Sequence, residues 1–244
     1  MKLEGKVALV TGGAHRIGRA LVLALAKAGC HIVLHYNRSA EAAEYTAQDV
    51  TKYGVEVITH QADLANPAEV TNLMAASVAA GLGHVQILLN NAAIFPKDSL
   101  LDLTPEQWER TMCINLTSPV FLTQAFARAL PETSHGVVIN ISDWRTRRPY
   151  NQHLSYSVAK GALDTFTLAV ASELAPRIRV NAIALGAMLP PPHADERYLA
   201  QLAAQLPLQR AGGVEPVVQA MLYLLHNDFV TGEMVRVNGG AHLT

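Results

Sequence analysis

Cysteine is nearly absent from this chain. Cys30 and Cys113 stand far apart, with no second cysteine at metal-ligand spacing. This argues against a disulfide framework or thiolate metal cluster and reads as two buried, reduced thiols in a cytoplasmic protein. The ten histidines supply no ligand set either, so no metal is assigned. Charge is also scarce: 16% of residues are Asp, Glu, Lys or Arg, and the formal net charge is −1. No field of one sign draws the chain to nucleic acid or an anionic membrane. Long apolar runs are missing too. The stretch after Met1-Lys2 is too short and wrongly flanked for a signal peptide or membrane span.

Half of the 244 residues are apolar, enough for one large α/β domain spanning 1–244. Short apolar runs alternate with helical patterns. Strands are expected at Lys6–Thr11, His31–His35, Val55–His60, Val85–Asn90, Gly136–Ile141, Ile178–Ala184 and Glu233–Val237. Helices are expected at Ile17–Ala28, Ala40–Tyr53, Pro67–Ala80, from Thr104 to about Ala129, Ser155–Leu174 and Glu215–His226. In Ser155–Leu174, Leu163, Phe166, Val170 and Leu174 are expected core contacts. Thr104 reads as an N-cap with Pro105 at the first helical position. Gly186–Gly212, with Pro190-Pro191-Pro192, reads as irregular with some helix and as the substrate loop. Alternation of this kind implies a doubly wound, mostly parallel, seven-stranded sheet with right-handed crossovers.

Thr11-Gly12-Gly13-Ala14-His15-Arg16-Ile17-Gly18 separates the first strand from the first helix. Glycines there let backbone approach a pyrophosphate, and the helix N-terminus favours its charge. The second strand ends in His35-Tyr36-Asn37-Arg38-Ser39, with no acid to hold a ribose 2′-hydroxyl. Arg38 and Ser39 suit a 2′-phosphate, so the expected cofactor is NADPH. Asp63 and Leu64 would flank the adenine, and Asn91-Ala92-Ala93 would lie along the cofactor.

Tyr156 and Lys160 are four residues apart in an expected helix, on one face, and can point into one cleft. An ammonium beside a phenol eases proton transfer from it. Asp143 precedes this pair. An ionised carboxylate cannot donate to a substrate carbonyl and disfavours negative charge on oxygen, so it suits a nitrogen heterocycle better.

Together, Thr11-Gly12 through Gly18, Asn90-Asn91-Ala92, Asn115, Tyr156-x-x-x-Lys160 and Gly239-Gly240 resemble the short-chain dehydrogenase/reductase family over essentially the whole chain. The resemblance implies a single Rossmann-type domain and a proton relay of Asn115, Tyr156 and Lys160. Tyr156 would donate the proton, Lys160 would hold the nicotinamide ribose and lower the tyrosine pKa, and Asn115 would position a water. Gly12, His15, Arg16, Ile17, Gly18, Tyr36, Asn37, Arg38, Ser39, Asp63, Leu64, Asn91, Ala92, Tyr156, Lys160 and Gly186 would meet the cofactor.

Most of the family has glycine where this chain has Arg16 and serine where it has Asp143. Both replacements resemble the pteridine reductases, and Phe95 matches the aromatic residue on which that branch stacks a pterin ring. Arg16, Phe95, Asp143 and Tyr156 would then contact substrate. The chain departs from that branch at Ala93, where a serine is common, and at Leu185 and Met188, where it carries proline and serine.

The expected activity is NADPH-dependent reduction of a dihydropterin (dihydrobiopterin, dihydromonapterin or dihydrofolate). A carbonyl reductase of 3-oxoacyl thioesters or other ketones is the rival enzyme, and a non-catalytic NADP-binding regulator the rival of another class. The resemblance also implies homo-oligomers, commonly tetramers, packed through the helices starting near Thr104 and Ser155. Arg145, Arg147 and Arg148 crowd the loop between Asp143 and Tyr156, as a solvated cluster or as a contact for an acidic substrate tail. Trp144 could line the pocket or cap the core.

Overall fold

A computed structural model of the chain describes residues 1–190 and 196–243. Pro191 and Pro192 of the expected substrate loop lie outside the described residues. Strand β1 (Val7–Val10) leads into helix α1 (Arg16–Lys27), then β2 (His31–Tyr36), α2 (Ala40–Thr51), β3 (Val57–Gln61), α3 (Pro67–Ala79) and β4 (Val85–Asn90). The second half holds α4 (Pro105–Met112), α5 (Ser118–Ala129), β5 (Gly136–Asp143), α6 (Leu154–Leu174), β6 (Ile178–Leu185), α7 (Glu196–Ala204), α8 (Glu215–His226) and β7 (Met234–Val237). The sheet order is β3-β2-β1-β4-β5-β6-β7, and every recorded pair is parallel.

Successive side chains of a strand face opposite sides, so a sheet covered on both faces needs apolar residues at every position. Strand β1 obeys this. Ala8 and Val10 enter a core with α1, α2 and α8, while Val7 and Leu9 enter a second core with α3, α5 and α6. Among the expected contacts of α6, Leu163 is fully buried, and Val170 and Leu174 pack partly buried on that second core. Phe166 is half-buried.

Element boundaries move where tertiary pairing decides them. Strand β3 starts at Val57, where its register with Ile32 begins, and β5 runs on to Asp143 because β6 continues beside it to Leu185. The helix expected from Thr104 starts with a capping box: Thr104 Oγ1 accepts from Gln107 N at 3.3 Å and Gln107 Oε1 from Thr104 N at 3.2 Å. It is not one helix, however. A π-helical turn at Cys113–Thr117 separates α4 from α5. Pro119 has no N–H and cannot donate to the Asn115 carbonyl four residues earlier, which favours that widened turn.

The strand order reverses between β1 and β4, and their C-terminal ends open a crevice there. Buried amides brace the neighbouring strands. Asn140 Oδ1 accepts from Asn90 Nδ2 at 2.8 Å, and its Nδ2 donates to Thr167 on α6 at 2.9 Å. No helix among the described residues is long and apolar enough to cross a membrane.

Replacing Asn140 with alanine removes both bonds, leaving Asn90 Nδ2 with only Thr123 Oγ1 at 3.4 Å and Thr167 with only the Leu163 carbonyl at 2.8 Å. We expect a loss of about 1–3 kcal/mol in urea denaturation.

Candidate active site

Gly12 has φ 64°, a conformation glycine adopts at little cost. Gly18 must also be glycine, because a Cβ there would lie 2.0 Å from the Gly12 carbonyl oxygen. Thr11 Oγ1 accepts from the Asn91 and Ala92 N–H groups, at 2.9 and 3.0 Å, and the Asn91 amide donates to Thr11 O at 2.8 Å. The turn is thus tied to the end of β4.

His35 fixes the turn from the other side, a role its sequence position does not announce. Its Nδ1 accepts from Gly12 N at 3.1 Å while Nε2 faces Ala62 O at 3.0 Å, so the proton sits on Nε2. Burial pushes its pKa down to about 4. His31, four residues earlier, uses its own Nδ1 on Glu56 N at 3.0 Å. On a strand, this His-x-x-x-His spacing does not make a metal pair. Among the described residues, no group of three or more His, Cys, Asp or Glu could hold a metal.

A crevice of ≈ 470 Å³ runs along the turn and past the end of β2. It is lined by Gly12, His15, Arg16, Ile17, Gly18, Tyr36, Asn37, Arg38, Ser39, Asp63, Leu64, Asn91 and Ala92. The first turn of α1 carries no acid, and His15 makes no side-chain cap, so its N–H groups suit an anion. This donor set fits a phosphorylated dinucleotide. Arg110 also lines the crevice, 3.6 Å from Asp63.

A second cavity, ≈ 830 Å³, adjoins it and shares Arg16 and Ile17. Arg16 holds φ 56°, a left-handed conformation that costs a side chain about 1 kcal/mol, and its guanidinium donates to Pro190 O at 2.7 Å. Gly186, expected at the cofactor, lines this second cavity. Its N–H goes to Val237 O at 2.9 Å, and a Cβ there would lie 2.6 Å from Asn238 Cα. Met188 is buried, its thioether set against Gly212, where a Cβ would meet Met188 Cε at 2.4 Å.

Asp143 and Tyr156 come together at the end of β5. Asp143 Oδ2 accepts from the Tyr156 hydroxyl at 3.0 Å and from Tyr150 at 3.4 Å, while Oδ1 accepts from Arg145 N at 2.8 Å. Burial raises the Asp143 pKa against the pull of these donors and of Lys160. Lys160 Nζ donates to Ile141 O at 2.7 Å, and burial lowers its pKa to about 8. The expected lowering of the tyrosine pKa by Lys160 does not prevail. Burial first, and then the Asp143 charge, hold the Tyr156 phenol well above its ordinary value. Tyr156 and Lys160 are buried, and neither is among the residues lining the two cavities.

The Asn115 side chain is hydrogen-bonded to backbone. It clasps the Ile94 peptide, accepting from Ile94 N at 2.9 Å and donating to Ile94 O at 2.8 Å. Phe95, the next residue, faces the second cavity with Trp144, Arg145 and Arg148; exposed Arg147 is not in its lining. Phe95 meets Tyr156 edge to face at 4.5 Å and stacks on His153, with centroids 3.8 Å apart. His153, Tyr150 and Tyr198 also line this cavity, and sequence reasoning missed all three because only tertiary contacts bring them there.

His35 generates a pH prediction. Its unfolded pKa of 6.5 exceeds its folded value, so the unfolded chain binds more protons between these limits and stability falls as pH drops. Between pH 6.5 and 5 the loss should be about 2 kcal/mol. Urea midpoints of the His35→Asn variant should lack this component.

The short chain dehydrogenase family model matches residues 6–198. The chain is 36% identical to FolM alternative dihydrofolate reductase 1 from Brucella canis, solved in complex with NADP, at a TM-score of 0.93 over 100% of this chain and 97% of that one. It is 33% identical to the 3-oxoacyl-[acyl-carrier-protein] reductase of Synechocystis over 98% of this chain and 97% of the relative. Versicolorin reductase 1 of Aspergillus parasiticus is 32% identical over 98% and 97%. With the glycine turn and buried Tyr156 and Lys160 set on a seven-stranded parallel sheet, the chain belongs to the short-chain dehydrogenase family and is one of its oxidoreductases.

Proposed function

We propose that this protein reduces a dihydropterin-type substrate (dihydrobiopterin, dihydromonapterin or dihydrofolate) to its tetrahydro form with NADPH. The hydrogen bond between buried Asp143 and Tyr156 carries the reading. NADPH, when bound, supplies hydride to the carbon of a ring C=N bond. The chain must then deliver one proton to the nitrogen. Tyr156 stays protonated because its pKa is raised, and the raised Asp143 carboxyl takes up a proton more readily than an exposed one. The pair therefore holds a proton beside a basic ring nitrogen and then regains one from solvent. Lys160, largely charged below its pKa of about 8, offsets the negative charge left on the pair. Asn115 fixes the Ile94-Phe95 backbone, so a flat heterocycle can lie on the Phe95 face away from His153.

For the cofactor, Arg38 and Ser39 stand at the end of β2 without a competing acid, and the Brucella canis relative was solved with NADP. Arg38→Ala should raise KM for NADPH by about tenfold or more and leave KM for NADH little changed.

A second reading, reduction of a 3-oxoacyl thioester, has support from the Synechocystis relative and from Leu185, Met188, Leu199 and Leu202 along the second cavity. Asp143 opposes it, because a carboxylate there repels a developing alkoxide. For assembly, we propose a homo-oligomer packed through α5 and α6, which leave Phe121, Val158 and Leu168 exposed.

The deciding assay follows NADPH oxidation with dihydropterins, dihydrofolate and acyl ketones. Asp143→Ser should cut kcat/KM for dihydropterins by about 100-fold and spare ketones. Reduction of ketones alone would refute the pterin reading.

A further inference from the structure

Arg145 is held in an unusual way. Its backbone N–H donates to Asp143 Oδ1 at 2.8 Å, which anchors its base beside the reacting pair. Its guanidinium carbon lies 5.1 Å from the Trp144 ring centroid and 4.6 Å from that of Tyr150. Aromatic rings attract the faces of a guanidinium, while the N–H donors point from its edges. Those edges pair with no carboxylate among the described residues. Arg145 is half-buried, and it lines the second cavity together with exposed Arg148 and Phe95. The Tyr150 ring that carries Arg145 also touches Phe95, 5.5 Å away edge to face. The cation thus stands one aromatic ring beyond the Phe95 platform, on the same cavity wall.

An arginine held between two aromatic rings in a cavity wall is pre-organised for bidentate binding of a planar or tetrahedral anion. We propose that Arg145 is a specificity-determining residue and binds an anionic group, carboxylate or phosphate, at the tail end of the substrate. This rests on the pterin reading for the head group. The cavity, at ≈ 830 Å³, has room for a tail beyond a bicyclic ring. Trp144 acquires a role here: it lines the pocket and braces the cation. The preferred substrates are then dihydropterins that carry an acidic substituent, over those with a neutral side chain.

The test uses wild type, Arg145→Gln and Arg145→Lys, each checked by circular dichroism and thermal melting. Turnover is compared for dihydrofolate (carboxylate tail), dihydroneopterin monophosphate (phosphate tail) and dihydrobiopterin (neutral tail). Equilibrium binding of folate and biopterin to the NADP⁺-loaded protein is measured in parallel. In Arg145→Gln, the kcat/KM preference for the acidic-tailed substrates over dihydrobiopterin should fall by about tenfold or more, and folate binding should weaken by a similar factor. Arg145→Lys, which keeps the charge but loses the planar fork, should fall between. Loss of preference for only one of the two acidic substrates identifies whether carboxylate or phosphate is the natural tail. An unchanged preference together with unchanged folate binding overturns the inference, as does a wild type with no preference for either acidic-tailed substrate over dihydrobiopterin. If no pterin is turned over yet folate binding depends on Arg145, the anion site stands and the proposed reaction falls.

Discussion

The site is organised by one buried carboxylate. Asp143 ends β5, enclosed on one side by the sheet and on the other by the loop leading to α6, and burial makes its charge costly. Three donors converge on it: the Tyr156 and Tyr150 hydroxyls and the Arg145 N–H. Satisfying that carboxylate therefore fixes the chain leaving β5, the first turns of α6 and the aromatic wall between them. In the proposed reaction its cost is also its chemical use, because a carboxyl and a phenol with raised pKa values share one hydrogen bond where that reaction needs a proton.

The same end of the sheet builds the rest of the site by simple means. Parallel strands bring Thr11, Tyr36, Asn90 and Asp143 to one edge, and the reversal of strand order between β1 and β4 opens the crevice. Gly12 and Gly18 permit a close turn, and His35 and Asn91 hold it from two sides. The loop after β4 is pinned at both ends. Asn115 clasps Ile94, and Asp98 accepts from Ser155 N at 3.1 Å and from the Ser155 hydroxyl. Between these pins, His153 supports Phe95 from beneath, so the aromatic platform keeps its place over Tyr156.

The alternating architecture was legible because buried parallel strands are short apolar runs and the intervening helices show glycine stops and proline starts. The glycine turn, Tyr156 and Lys160 could be recognised by spacing alone. The π-helical turn escaped the periodicity reading, since one widened turn barely disturbs a helical pattern, although Pro119 inside the run was its available signal. Tyr150, His153 and Arg145 could not be assigned from local sequence. Their positions depend on Asp143, Phe95 and Trp144, contacts set by the way the loop after β5 folds back. Sequence displays Lys160 as a neighbour of Tyr156 but not the burial that raises the phenol's pKa.

The central claim is that Asp143 and Tyr156 act as one proton-delivering unit on a nitrogen heterocycle. A double-mutant cycle on kcat/KM for dihydrobiopterin, using Asp143→Asn, Tyr156→Phe and the double variant, tests it most directly. If the two form one unit, either single change removes most of the proton delivery and the double variant is only about as slow as the worse single. Losses that simply multiply, with each residue contributing independently, would contradict the account.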